Sequence, residues 1–236
     1  MPYGFYYGID IYYILLVVPA LILSVVAQIR VKSVYHKMSL KMNSSGLTGA
    51  AAAQAVLRHY GITDVQIEHI NGRLSDHFDP RSKVIRLSDG VFNSCSVAAV
   101  GIAAHEAGHA AQHASGYLPI KVRNAIVPVC NIASWVGIPL ALIGYYMSME
   151  PLIYIGLGLY SLIMIFQLVT LPVELNASSR ALNVIAQEGL LRTEEEQKDA
   201  KKVLTAAAMT YVAALATSLA NLLRLVLIFS NRRGRD

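Results

Sequence analysis

Ile9-Asp-Ile-Tyr-Tyr-Ile-Leu-Leu-Val-Val-Pro-Ala-Leu-Ile-Leu-Ser-Val-Val-Ala-Gln-Ile29 is a nearly continuous apolar run, and its length decides the kind of fold the chain builds. At about 1.5 Å per residue a helix of this stretch matches a hydrocarbon core of about 30 Å. Three more apolar blocks follow, at residues 127–147, 152–172 and about 203–229. The second and third are separated only by a short turn containing Glu150 and Pro151, so they read as a transmembrane hairpin. The fourth contains Arg224, a charge that must snorkel or face a protein interior. The expected fold is mainly α, an integral membrane protein with about four spans and a small cytoplasmic α+β segment.

Composition agrees. Hydrophobic residues make up 55% of the chain and charged residues 15%, against about 25% charged in soluble domains. The net charge of +5 does not read as a nucleic-acid site. Its basic residues flank the apolar blocks: Arg30, Lys32, Lys37 and Lys41, then Lys121 and Arg123, then Arg232, Arg233 and Arg235. Such placement is a topology signal. With the basic residues after the first span held inside, residues 31–126 face the cytoplasm, and an even number of crossings returns residues 173–202 to the same side. The expected order is an anchor at 1–30, a cytoplasmic segment at 31–126, a hairpin at 127–172, a second cytoplasmic segment at 173–202, and a last spanning or re-entrant helix with a basic tail at 203–236. The N-terminus lacks a basic leader and a small-x-small cleavage site, so it reads as a retained anchor. Cys95 and Cys130 form no paired motif and read as small buried thiols.

Between the first and second blocks lies a segment of mixed polarity. Thr48 is placed to cap a helix through the alanine-rich stretch to His59, and Tyr60-Gly61 to end it. Lys83-Val-Ile-Arg-Leu87 reads as a strand following Asp79-Pro80, and its edge is a candidate for pairing with an extended peptide. Ser94 is placed to cap the next helix, Cys95-Ser-Val-Ala-Ala-Val-Gly-Ile-Ala-Ala-His-Glu-Ala-Gly-His-Ala-Ala-Gln-His113.

That helix carries His105-Glu106-Ala107-Gly108-His109. Four-residue spacing puts both imidazoles on one helical face, able to share one ion. Glu106 beside them has the position of a general base, taking a proton from the attacking water and passing it to a leaving amine. Gly108 costs about 1 kcal/mol of helix propensity relative to alanine, which suits a place where another element packs closely. His113 stands about 12 Å along the helix from His105, too far to complete the same tetrahedron, and reads as a supporting or surface residue. The third ligand is expected from Glu174, in Leu171-Pro-Val-Glu-Leu-Asn-Ala-Ser-Ser-Arg-Ala181, where a helix aligns Glu174, Ser178 and Ala181. Two histidines and a carboxylate suit one zinc ion with an open position. Arg180 is a candidate for orienting Glu174 or a substrate carboxylate, or for meeting lipid headgroups. His77 is a candidate donor to an oxyanion. Thr193-Glu-Glu-Glu196 reads as a capping box with a solvated acidic start.

These residues together resemble a known family. Ser75-Asp-His-Phe-Asp-Pro80, Ala104-His-Glu-Ala-Gly-His-Ala-Ala-Gln-His113, Phe166-Gln-Leu-Val-Thr-Leu-Pro-Val-Glu-Leu-Asn-Ala-Ser-Ser-Arg-Ala181 and Lys202-Val-Leu-Thr-Ala-Ala-Ala-Met-Thr-Tyr-Val-Ala213 are similar to the YugP-like neutral zinc metallopeptidases of bacterial membranes. The resemblance covers almost the whole chain and implies a zinc-binding, membrane-embedded peptidase. In the wider gluzincin membrane proteases the later glutamate sits in an ExxxD-like motif. Glu174 matches it, but Ser178 stands where the aspartate would be. The expected partners are membrane-associated protein or peptide substrates and the lipid bilayer, with no nucleic acid. The expected activity is endopeptidase cleavage in the inner membrane with the site facing the cytoplasm. A metal-binding scaffold or chaperone-like adaptor is the alternative, and a transporter a more distant one.

Overall fold

The computed structural model describes residues 10–233. Tyr3, Tyr6, Tyr7 and the tail beyond Arg233 lie outside the described residues. Six helices and three strands follow in chain order. Helix α1 runs Tyr13–Ser39, opening with a wider π-helical turn. Then come α2 (Gly49–His59), β1 (Gln66–Ile70), β2 (His77–Asp79), β3 (Val84–Ser88), α3 (Val97–Ala114), α4 (Leu118–Tyr146), α5 (Glu150–Gln187) and α6 (Glu194–Arg233). The chain is mainly helical, and α1, α4, α5 and α6 are long and apolar enough to cross a membrane. All four continue past the apolar blocks read from sequence. Hydropathy marks what lipid can cover, whereas a helix continues wherever its backbone bonds and a partner face allow.

The chain divides into two compact units. One comprises the chain through Ala27, Val122–Leu171, and the chain from Thr210 onward. Within it α1 and α6 run antiparallel. Ser24 Oγ meets Thr217 Oγ1 at 3.0 Å, and Thr217 Oγ1 reaches the Ala20 carbonyl at 3.4 Å. Nearer the start of α1, the Arg224 Nη2 lies 2.7 Å from Asp10 Oδ2, and its guanidinium lies 5.1 Å from the Tyr13 ring centroid. Arg224 is therefore paired within the protein: its counter-charge comes from Asp10, just before the start of α1. Cys130 is buried in this unit and Cys95 half-buried in the other, each donating its thiol to a carbonyl.

The second unit comprises Gln28–Lys121 and Pro172–Met209. Its core joins Leu57 of α2, Ile85 and Leu87 of β3, Val100 of α3, and Val184, Ile185 and Leu191 at and after the end of α5, all fully buried. Each such side chain contributes about 1.5–3 kcal/mol on leaving water. Helix α3 is the centre of this unit, with fourteen of its eighteen residues buried. Alanine or glycine at nine of those positions lets neighbouring helices approach from several sides.

Local chemistry sets the element ends. Thr48 Oγ1 accepts from the Ala51 amide at the start of α2, and Gly61 follows its end with φ of +67°. That left-handed conformation is where glycine is least strained. At α3 the sequence expectation moves by one turn's edge. Ser96, not Ser94, is the cap, accepting from the Ala99 amide at 3.2 Å. An isolated bridge between Met42 and Ser96 keeps the chain extended that far, and Ser94 Oγ accepts from the Ser96 amide instead. Thr193 and Glu196 exchange the two bonds of a capping box, each 3.1 Å. Glu196 is not solvated, however: it is buried and also accepts from the Ser44 amide at 2.6 Å.

The sheet order is β1-β3-β2, with β1 parallel and β2 antiparallel to β3. This corrects the expectation that the strand at 83–87 offers a free edge. Val84–Ser88 is central and paired on both sides, and four of its five residues are buried. The short strand His77–Asp79 is an outer strand instead, next to α3.

Candidate metal centre

Three side chains of the second unit converge. His105 and His109 project from α3 one turn apart, and Glu174 projects from α5. Their potential ligand atoms lie within 4.8 Å of one another. His105 Nε2 is 3.3 Å and His109 Nε2 3.6 Å from Glu174 Oε2. The site is recessed but not sealed: side-chain exposure is 15% for His105, 10% for His109 and 5% for Glu174.

A close helix contact makes the convergence possible. A Cβ built on Gly108 would lie 2.6 Å from the Ala177 carbonyl oxygen. Only glycine lets α3 and α5 approach to this distance, and Ala177 lies between Glu174 and Ser178. The residue that costs helix propensity thus sets the spacing of the donors.

Both imidazoles are oriented through the nitrogen facing away from Glu174. Ser178 Oγ lies 3.1 Å from His105 Nδ1. Gln112 Oε1 lies 3.0 Å from His109 Nδ1 and so accepts from it. The Gln112 amide nitrogen in turn donates to the Val173 carbonyl at 2.8 Å and to Asn176 Oδ1 at 3.0 Å. Gln112 and Asn176 carry no mark of function in the sequence as read above, although Gln112 lies three residues after His109, on a neighbouring position of the same helix. Ser178, on the same helix face as Glu174, reaches His105. Both orienting groups are neutral, so the imidazoles gain less basicity than a carboxylate partner would give them.

The electrostatics favour a cation here. Burial of His109 opposes its protonation, but the Glu174 hydrogen bond and the charges of Glu106 and Glu174 outweigh burial and hold its pKa above the ordinary histidine value.

The donor set fits zinc. A tetrahedral ion with bonds of about 2.0–2.1 Å keeps its ligand atoms about 3.3 Å apart, and the two nitrogen–oxygen separations are close to that. Neutral Nε2 lone pairs and one carboxylate are the donor types zinc takes, and with Nδ1 occupied on both rings only Nε2 is available.

The other candidates fall as follows. Glu106 is buried beside the cluster and makes no hydrogen bond among the described residues. His77 lies on β2 with Nδ1 2.8 Å from the Ser75 carbonyl, and is not a member of the three-residue cluster. Arg180 Nε donates to Asn176 Oδ1 at 2.9 Å rather than to Glu174. His113 is exposed, its ring edge-on to Phe78 at 6.0 Å.

A helical protein with four membrane-length helices and a recessed cluster of two histidines from HExxH and a distant glutamate has the makings of a membrane zinc-peptidase class. The comparison of sequences narrows this: residues 13–230 match the family described as "Putative neutral zinc metallopeptidase", and the chain belongs to that family. It is also 47% identical over 224 residues to "Putative membrane protease YugP" of Bacillus subtilis (strain 168), covering 95% of this chain and 98% of that protein. No solved structure matches significantly.

Proposed function

We propose that this protein is a zinc-dependent endopeptidase that hydrolyses membrane or membrane-proximal proteins, embedded in the bacterial inner membrane with its metal site toward the cytoplasm. The observation that carries the reading is the convergence of His105, His109 and Glu174 with Glu106 adjacent and uncommitted. The family membership and the similarity to a protein named a membrane protease support it. The basic residues after the first span, and two expected crossings between the two parts of the site, by α4 and by the apolar part of α5, support the orientation.

His105 and His109 through Nε2, and Glu174 through its carboxylate, would hold one zinc ion. Bound zinc supplies Lewis acidity toward a scissile carbonyl and lowers the pKa of an attacking water. Glu106 takes the proton from that water and delivers it to the leaving amine; its freedom from hydrogen bonds leaves both carboxylate oxygens available. Ser178 and Gln112 hold the two rings in the orientation that presents Nε2. The outer strand His77–Asp79 pairs with an extended peptide, binding main chain with little regard to side chain. His77 assists the oxyanion only as the doubly protonated ring, since its Nδ1–H is committed to the Ser75 carbonyl. Arg180 is held by Asn176 Oδ1 and does not orient Glu174.

The test is zinc stoichiometry and cleavage of an unfolded membrane-protein substrate by the detergent-purified wild type, Glu106→Gln and Glu174→Ala. The expected pattern is about one zinc in the first two, loss in the third, and cleavage by the wild type alone. Cleavage indifferent to Glu106 would sink the mechanism, and one zinc with clients bound but never cut would favour the metal-binding scaffold.

A further inference from the structure

Arg180 is the one member of the hydrogen-bonded group around the metal cluster whose own chemistry the mechanism leaves unused. It is half-buried, and among the described residues it meets no carboxylate. A cation withdrawn from water without a counter-charge is costly unless something compensates it. Two aromatic rings do so in part: the guanidinium carbon lies 5.7 Å from the Tyr60 ring centroid and 6.0 Å from that of Tyr117. Such contacts reach only to about 6 Å, so these two are weak.

The side chain is nevertheless held in one direction. Its Nε donates to Asn176 Oδ1, and the same oxygen accepts from Gln112 Nε2. Gln112 is the residue that orients His109. The guanidinium direction is thus fixed by a chain of hydrogen bonds that begins at a member of the metal cluster. With Nε committed, the four N–H groups on Nη1 and Nη2 remain, in the fork geometry that receives a carboxylate bidentately.

Resting on the peptidase reading above, we propose that Arg180 binds a carboxylate of the peptide substrate and makes the enzyme selective for it. The hydrogen-bond chain from His109 Nδ1 to Arg180 Nε cannot exceed about 11 Å. Crossing the imidazole, a zinc bond, the guanidinium and one further hydrogen bond extends that limit to about 20 Å, and an extended peptide advances about 3.3 Å per residue, so the recognised carboxylate lies within about six residues of the scissile bond. It belongs either to an Asp or Glu side chain or to a free C-terminus; the ligand chemistry is the same. A lipid headgroup is the less favoured occupant, because a headgroup contact would not require the guanidinium to be tied to the metal cluster.

The experiment uses the full-length, zinc-loaded protein in detergent and a set of fluorogenic peptides. Each peptide carries Glu or Gln at one of about six positions on either side of the cleaved bond, with a free or amidated C-terminus. Wild type is expected to prefer one carboxylate-bearing peptide over its neutral counterpart by about tenfold or more in kcat/KM, mostly through KM. In Arg180→Met that ratio falls to about one, and Arg180→Lys retains part of it. A Glu/Gln preference identifies a side chain, and an acid/amide preference the C-terminus. The same ratios are read as dissociation constants on zinc-loaded Glu106→Gln, so a protein that binds peptides without cutting them still tests Arg180 while failing the peptidase reading. Wild type blind to both carboxylates, or a preference that survives in Arg180→Met, overturns the proposal. So does an Arg180→Met protein that keeps peptide selectivity but loses binding to anionic phosphatidylglycerol vesicles.

Discussion

Replacing Gly108 by alanine separates two effects that act at one residue. On propensity alone the substitution favours α3 by about 1 kcal/mol. The added methyl, however, would stand 2.6 Å from the Ala177 carbonyl oxygen, 3.3 Å from its carbon and 3.4 Å from its Cα. The obstacle is backbone, which cannot rotate away as a flexible side chain can. Restoring an ordinary contact pushes α3 and α5 apart by about half an ångström or more. Overpacking of this kind costs about 1–3 kcal/mol, so net stability falls by at most about 2 kcal/mol and the protein still folds. The metal site has far less tolerance, since ligand positions must hold within about 0.2 Å, and the displaced segment carries Glu174 and Ser178. Zinc affinity is therefore expected to fall at least about tenfold while the thermal midpoint falls by at most about 4–8 °C. The assay is chelator competition for zinc beside circular-dichroism melting, with Gly158→Ala as control, where an added Cβ meets nothing within 4 Å. Unchanged zinc affinity in Gly108→Ala would refute the claim that this helix contact sets the donor spacing.

Three further outcomes are expected. Gln112→Leu removes the acceptor for His109 Nδ1 and lowers zinc affinity about 10–100-fold, measured by the same competition, with the Asn176 bond to Arg180 left in place. Asp79, the last residue of β2, has its carboxyl held down to about 2 by the Ser82 hydroxyl and the Arg81 amide in the turn that follows. A depressed carboxylate stabilises above its unfolded pKa and loses that contribution as pH falls through the folded one. Asp79→Asn is thus expected to weaken hydrogen-exchange protection of this turn at neutral pH, the difference from wild type disappearing between about pH 4 and pH 2. Asp10→Ala leaves Arg224 without that carboxylate, so it is expected to melt at a lower temperature than Asp10→Ala/Arg224→Ala, in which no charge is stranded; equal or reversed order would contradict a paired α1–α6 contact.

What the sequence alone determined is what depends on local pattern. Apolar length announced four membrane helices, because lipid thickness is a fixed ruler that each stretch is measured against independently. The Thr48 and Thr193 caps were legible because a cap and its amide lie three residues apart. Ser94 misled because two serines two residues apart offer the same chemistry, and a distant bridge at Met42 chose between them. The four-residue spacing of His105 and His109 gave a shared helical face, and chemistry singled out Glu174 as a partner, yet nothing in the chain says how far apart α3 and α5 lie. Tertiary structure decided that distance through Gly108 against Ala177, and with it the 3.3 and 3.6 Å approaches to Glu174. It also made Gln112 and Asn176 members of the site, gave Arg180 its two tyrosines, put the strand at 84–88 in the middle of the sheet, and paired Asp10 with Arg224. Apart from the local bonds of Gln112 to His109 and of Arg180 to Asn176, these join residues distant in the chain, where hydrogen-bond direction and packing distance carry no periodic trace in the sequence.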